Sequence, residues 1–291
     1  MTTLRRIVRD VVDLKIAPER ETCRVLGVTR SVVQRRDDEP PCDRELSDGR
    51  LLPMIVSIFK LHRRRYGARR IAAELDRRGI RCGRRRVAKL LKVAGLTAIQ
   101  PRSFKPRSTE SRHGLGYNEN LLLDTPEPSA IDQLWVGDIT YIPVHTLRWM
   151  YLSVLMDRYS RRIVGWSLRR QMDESLVTES LRQSIRSRRI VSPLIHHTDR
   201  GGQYASKGYR AILKRSSMRQ SMSRAGDCYD NAFMESCFGS IKTELEMVEY
   251  DSEPKARESI SNYLEYYNND RLHSSIGYMT PVEFESVQSK T

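Results

Sequence analysis

The chain has 291 residues, with 51 lysines and arginines against 36 acids and a formal net charge of +15. No apolar run reaches the roughly 20 residues of a membrane-spanning helix, and the first residues lead into a charged segment rather than an apolar signal core. A cytoplasmic location is therefore expected. The five cysteines (Cys23, Cys42, Cys82, Cys228, Cys237) form no Cys-x-x-Cys pair, which sets aside a disulfide framework and a thiolate zinc site.

In chain order, residues 18–36 read as two short helices around a turn, with Cys23 and Leu26 on one face, Gly27 ending the first helix and Thr29 capping the second. Residues 37–48 are polar, carry Pro40 and Pro41, and read as a linker. Three helices are then expected over 51–64, 68–78 and 84–94. The last packs through Val87, Leu90 and Leu91 and opens on Arg84, Arg85 and Arg86. This stretch holds the charge. Residues 60–107 contain 17 lysines and arginines and two acids, Glu74 and Asp76, a local net of +15. So one-sided a block points to nucleic acid, and a basic helix start after a tight turn is how a recognition helix meets a DNA groove. The plainer alternative is three surface arginines on a bundle helix. Residues 97–131 form a second linker, in which Arg102 and Lys105 could track phosphates.

From residue 133 the pattern turns to strands. They are expected over 134–144, 149–156 and 162–168, as an antiparallel meander with Asp157 in a turn. A helix over 174–187, a strand over 193–197, a helix over 206–216, a strand over 218–223 and a helix over 230–245 complete the order of a ribonuclease H-like fold. A helix over 254–269 follows, and Thr280 with Glu283 has the form of a capping box with Pro281 at the first helical position. The fold class is α/β. A ribonuclease H-like catalytic core, a mixed five-stranded sheet with flanking helices, is preceded by small all-α helix-turn-helix-like domains. The expected divisions are 1–47 (helical), 48–97 (basic, DNA-binding), 98–131 (linker), 132–250 (catalytic core) and 251–291 (helical extension).

Three carboxylates organise this core: Asp138 mid-strand, Asp199 at a strand end, and Glu235 on a packed helix. Cutting a phosphodiester requires charge to be stabilised on both the attacking and the leaving oxygen. Two Mg²⁺ about 3.5–4 Å apart can do both, and hard cations take carboxylate oxygens. If the two strands are neighbours, both aspartates meet at one sheet edge. Asn231, Glu235 and Lys242 share one helix face, four and seven residues apart. His197 shares the strand face of Asp199 by period two, while His196 points into packing. For any one of these acids alone, a cap or a surface position is the commoner role.

The chain resembles the second-frame product of insertion-sequence transposases of the IS-three family, relatives of retroviral integrases. The resemblance rests on Tyr66-Gly67, Arg69-Arg70-Ile71, residues 84–91, Gly95-Leu96, residues 135–141, 197–204 and 221–244, Tyr267-Asn268, Arg271 with His273, and residues 281–284. It implies a DDE catalytic domain in which Asp138, Asp199 and Glu235 are metal ligands, Mg²⁺ (or Mn²⁺) is the cofactor and Lys242 contacts DNA. Arg69, Arg70 and Arg84 to Arg86 fall in the basic domain it implies. It further implies homo-oligomers on DNA, an upstream-frame protein as partner or fusion, and a place on the bacterial nucleoid. Gly83 departs from it, standing where a serine cap is expected. A nuclease that only hydrolyses, and a catalytically silent DNA-binding regulator, are the alternatives.

Overall fold

The computed structural model describes residues 2–30, 33, 42–100, 116–123, 125–190, 194–224, 232–246 and 249–289. The chain divides into two compact units, residues 1–56 and 57–291. In the first, α1 (Thr2–Asp13) and α2 (Glu19–Val25) bury Val8, Cys23 and Val33, with Val12, Leu26 and Val28 packed around them. Most of the second helix expected over 29–36 lies outside the described residues. Helix α3 (Asp43–Leu61) starts within the stretch read as a linker. Its polar first turns conceal it in the sequence. Asp43 and Glu45 suit a helix N-terminus electrostatically, and the Glu45 carboxylate accepts the Cys42 N–H at 3.1 Å.

In the second unit, α4 (Ala68–Arg77) and α5 (Arg84–Val93) pack through Ile71 and Leu75 against Val87, Leu90 and Leu91. Gly83 caps α5 without a side-chain hydrogen bond.

The sheet consists of β1 (Leu134–Val144), β2 (Arg148–Asp157), β3 (Ile163–Arg169), β4 (Ile195–Thr198) and β5 (Arg219–Met222) in the order β3-β2-β1-β4-β5. The first three strands form the antiparallel meander, while β4 runs parallel to β1 and β5 parallel to β4. Both faces are covered, so β1 is nearly continuously apolar where a one-sided strand would alternate. On one face Val136, Leu152 and Val154 pack against α9 (Ala232–Glu244) and α10 (Glu253–Asn269) through Met234, Ile241, Ile260 and Leu264. On the other, Trp135, Leu155 and Val164 meet α6 (Glu174–Ser187) and α8 (Lys207–Arg215), which follows the single turn α7 (Gly202–Ala205). Part of the stretch read as a linker covers the β5 edge. Leu121 N–H donates to Ser221 Oγ at 3.0 Å, and Met222 N–H to the Glu119 carbonyl at 3.2 Å.

Helix α6 lies directly on β3. A Cβ at Gly165 would sit 2.1 Å from Ser184 Oγ and 2.3 Å from the Ser180 carbonyl oxygen. The helix presents Ser180 and Ser184 to Gly165 at this crossing, and Ser180 and Ser153 share a hydrogen bond of 2.9 Å. Because the obstacle includes backbone, Gly165→Ala should force the layers apart and cost about 1–3 kcal/mol. A urea midpoint equal to the parent's would contradict so close a crossing.

Two buried ionic clusters tie on the C-terminal segment. Glu244, at the end of α9, accepts from Arg271 Nε at 2.9 Å and Nη2 at 2.8 Å, from Arg70 Nη1 at 3.1 Å and from the Tyr263 hydroxyl at 3.1 Å. Burial alone would pull the Arg271 guanidinium down, but the Glu244 carboxylate more than offsets this and its pKa is raised. The second cluster lies under α11 (Pro281–Gln288), whose capping box forms between Thr280 and Glu283 as its sequence suggests. There Glu285 pairs with Arg188 and Arg162 and accepts from Ser160 Oγ at 2.7 Å. Asp157 is the turn residue it resembled, accepting the Ser160 and Asp132 N–H groups. Among the described residues, no helix is long and apolar enough to cross a membrane.

Candidate active site

The parallel pairing of β1 with β4 places the two aspartates. Its register ends on Gly137 opposite Thr198. One residue further lie Asp138, still within β1, and Asp199, just past the end of β4. The period-two alternation puts Asp138 on the α9 face of the sheet, with Val136. Asp138 Oδ1 accepts the Ile139 N–H at 2.7 Å, and Asp199 Oδ1 accepts the Gly201 N–H at 2.9 Å. The fit at Gly201 is close, since a Cβ would lie 3.0 Å from Asp199 Oδ1 and 2.8 Å from Gln203 Oε1.

The electrostatics report the same neighbourhood. Tyr204 is wholly buried, and its hydroxyl pKa is driven well above the usual value by burial first, then by the charges of Asp199 and Asp138. Lys242 on α9 is half-buried. Burial lowers its pKa, and the negative charge of Asp138 acts in the opposite sense. Lys242 is therefore within reach of the charge of Asp138. Glu244, two residues on, is taken up by the Arg271 cluster.

Glu235 sits in the first turn of α9 and is exposed. Among the described residues, no three His, Cys, Asp or Glu side chains gather as a metal site. The structure brings together Asp138, Asp199 and Lys242, and leaves Glu235 at the solvent side of the same helix. Asn231 lies outside the described residues, as do Arg102 and Lys105. The donor chemistry nevertheless suits a hard divalent cation. Two neighbouring carboxylates repel one another, and a doubly charged cation removes that repulsion.

The histidines are held in the interior. His197 bonds through Nδ1 to Ser221 Oγ at 2.8 Å and through Nε2 to Ser223 Oγ at 3.1 Å, bridging β4 to β5 directly before Asp199. His196 points to the other face, with Nε2 2.6 Å from the Tyr209 hydroxyl. Its pKa is lowered to about 3, chiefly by burial.

The basic residues divide. Arg69, Arg84 and Arg85 are exposed and Arg86 is half-buried. Arg70 is half-buried, and its guanidinium is engaged by Glu244 and by the Leu272 carbonyl at 3.1 Å. It sits one position from an exposed arginine, and helix phase turns it inward. Tyr204 went unassigned in the sequence, although it lies in the motif of Asp199. Its signal was the Gly-Gly-Gln-Tyr run, in which Gly201 donates its N–H to the Asp199 carboxylate.

Comparison with known proteins gives this arrangement a context. Residues 128–228 match a family model described as an integrase core domain, residues 216–281 match a second integrase core domain, and residues 47–104 match an HTH-like domain. A relative described as an insertion element IS600 uncharacterized 31 kDa protein, from Shigella sonnei, is 39% identical over 264 residues, covering 90% of this chain and 96% of its own. Transposase InsF for insertion sequence IS3A, from Escherichia coli (strain K12), is 37% identical over 277 residues, covering 91% and 92%. Among solved structures, the HTLV-2 integrase catalytic core domain in complex with magnesium is 18% identical, with a TM-score of 0.44 over 54% of this chain and 98% of that one. The catalytic core domain of BIV integrase is likewise 18% identical, with a TM-score of 0.42 over 55% and 98%.

Proposed function

Since the chain belongs to the IS3 family of insertion-sequence transposases, DNA transposases with an integrase core and an HTH-like domain, we propose that Asp138, Asp199 and Glu235 are its catalytic acids and hold two Mg²⁺, for which Mn²⁺ can substitute. The observation that supports this most is the nearness of Asp138 on β1 and Asp199 just past the end of its parallel neighbour β4, both of whose charges act on the buried Tyr204. Glu235 completes the set by turning inward from the first turn of α9.

When bound, the metal pair supplies Lewis-acid stabilisation to the attacking and leaving oxygens of an in-line displacement. The protein's own part is positioning. Gly201 N–H fixes one oxygen of Asp199, and His197 fixes the strand before it. Lys242, beside Asp138, holds a phosphate near the scissile one. Arg84, Arg85 and Arg69 bind the duplex through its phosphates, and Arg102 and Lys105 extend that track. The first step frees a 3′ hydroxyl at the element end. In the second, that hydroxyl attacks a target phosphodiester, one P–O bond forming as another breaks. The working enzyme is a homo-oligomer on DNA, joined with an upstream-frame protein, acting at the nucleoid in the cytoplasm. Residues 48–97 serve as the DNA-binding part and 132–250 as the catalytic part.

The test is a joining assay on duplex oligonucleotides carrying element ends. Strand-joined product is expected with Mg²⁺, none with a chelator, and recovery on adding Mg²⁺ or Mn²⁺. Cleaved strands without joined product would leave a hydrolytic nuclease. Binding with neither product would leave a DNA-binding regulator.

A further inference from the structure

Beside α9 lies a cavity of about 380 Å³. Ser240, which lines it, is roughly 140° around the helix from Glu235. Three arginines reach the cavity from distant segments: Arg70 from α4, Arg161 from the turn between β2 and β3, and Arg271 from beyond α10. Ser236, Ser274 and Ser275 are exposed at its mouth, and Phe233 and Tyr267 form an aromatic wall. Among the described residues, no aspartate or glutamate lines it.

The charges around the cavity do not balance. Glu244 serves both Arg70 and Arg271. Arg161 has a buried Nε without a hydrogen-bond partner among the described residues. It shares the Phe233 ring with Arg158, the two guanidinium carbons lying 4.6 and 3.5 Å from the centroid. Burial, then repulsion from Arg158, lowers its pKa. His273 at the base is held neutral, its pKa lowered to about 2 by burial and then by Arg271, Arg70 and Arg161. Gathering arginines from three segments, one of them with a buried Nε that has no hydrogen-bond partner among the described residues, is costly unless an anion completes the set. Guanidinium forks with hydroxyls match the oxygens of a phosphate, and the aromatic wall suits the attached sugar or base.

We propose that this cavity is a phosphate-binding site whose occupant is a backbone phosphate of DNA, crossing from the basic helical pair to the catalytic core. The proposal rests on the transposase reading but is independent of the acids, since none of Asp138, Asp199 and Glu235 lines the cavity.

The experiment compares the full-length parent, Arg161→Gln and Ser275→Glu on one element-end duplex. Arg161→Gln should weaken binding about tenfold and reduce the salt slope by about 0.9. Its thermal midpoint should not fall, because a buried Nε without a hydrogen-bond partner among the described residues is removed; a purely structural arginine would give the opposite. Ser275→Glu, at the exposed mouth, should weaken binding similarly and keeps the test open if Arg161→Gln misfolds. Inorganic phosphate should raise the midpoint of the parent but not that of Arg161→Gln. A scan of single methylphosphonate linkages should find one position that weakens the parent and leaves Arg161→Gln unaffected. Parental affinity and slope in both variants, with a parent that binds and joins ends, overturns the site and leaves the transposase reading intact. A phosphate response without any change in duplex affinity overturns DNA as the occupant. A parent that neither binds nor joins ends removes the transposase reading, and DNA as the occupant with it.

Discussion

Asp138→Asn protein is expected to hold element-end DNA with close to parental affinity and to join almost none of it. The same outcome is expected for Asp199→Asn. Each change keeps the shape of the side chain and removes one of two like charges, on β1 and just past β4. Affinity comes mainly from arginine and lysine contacts to phosphate, so binding survives. Loss of one preorganised electrostatic element in an active site costs on the order of 10²–10³-fold in rate, and loss of a metal-ligating charge at least as much. Stability supplies an independent sign. Without a cation the two carboxylates repel, so each Asn variant should melt no lower than the metal-free parent. Single-turnover joining near the parental rate in either variant would remove that aspartate from the catalytic set. A lowered melting temperature would show that the carboxylate serves the fold instead.

Glu244→Gln should be the most destabilising conservative change in the second unit. Glu244 and Arg271 are almost fully buried, with side-chain exposures of 6% and 4%. Neutralising the carboxylate leaves the Arg271 guanidinium buried and uncompensated, with Arg70 half-exposed beside it. Removing one partner of a buried pair costs about 3–5 kcal/mol, which lowers the thermal midpoint by on the order of 10 °C in a unit of this size. Replacing both residues, as Glu244→Met with Arg271→Met, should recover part of the loss, because no charge is then stranded. A Glu244→Gln protein that melts with the parent would mean that the pair contributes nothing net. The cluster also fastens the end of α9, two residues past Lys242, so joining by Glu244→Gln should fall even at temperatures where it remains folded.

Much of the core was legible in the sequence because its signals are local. The first strand falls on 134–144 and the helix after the meander on 174–187, as apolar runs between turn residues indicate. The capping box at Thr280 was legible for the same reason. The start of α3 was not, because its first turns are held by charge and capping rather than by an apolar face. The ion pair of Arg70 was not legible because its partner is a buried acid 174 residues away, which no local pattern reveals. Asp138 and Asp199 could be picked out by their motifs, but their closeness depends on which strand pairs with β1. The nearness of Lys242 to Asp138 likewise depends on how α9 lies across the sheet.

That dependence of the aspartate pair on β1–β4 pairing has a consequence for synthesis. The meander needs only contacts between consecutive strands, so it can form as soon as β3 has emerged from the ribosome. Asp138 is then already in place, but its counterpart arrives only after α6, when β4 docks in parallel on the far side of β1. Glu235 and Lys242 come later still, on α9. Such non-local pairings form late, because the loop must close before the contact rewards it. A prematurely ended chain thus carries the basic helical pair and the antiparallel half of the sheet, without the β1–β4 pairing that brings the segment of Asp199 beside that of Asp138.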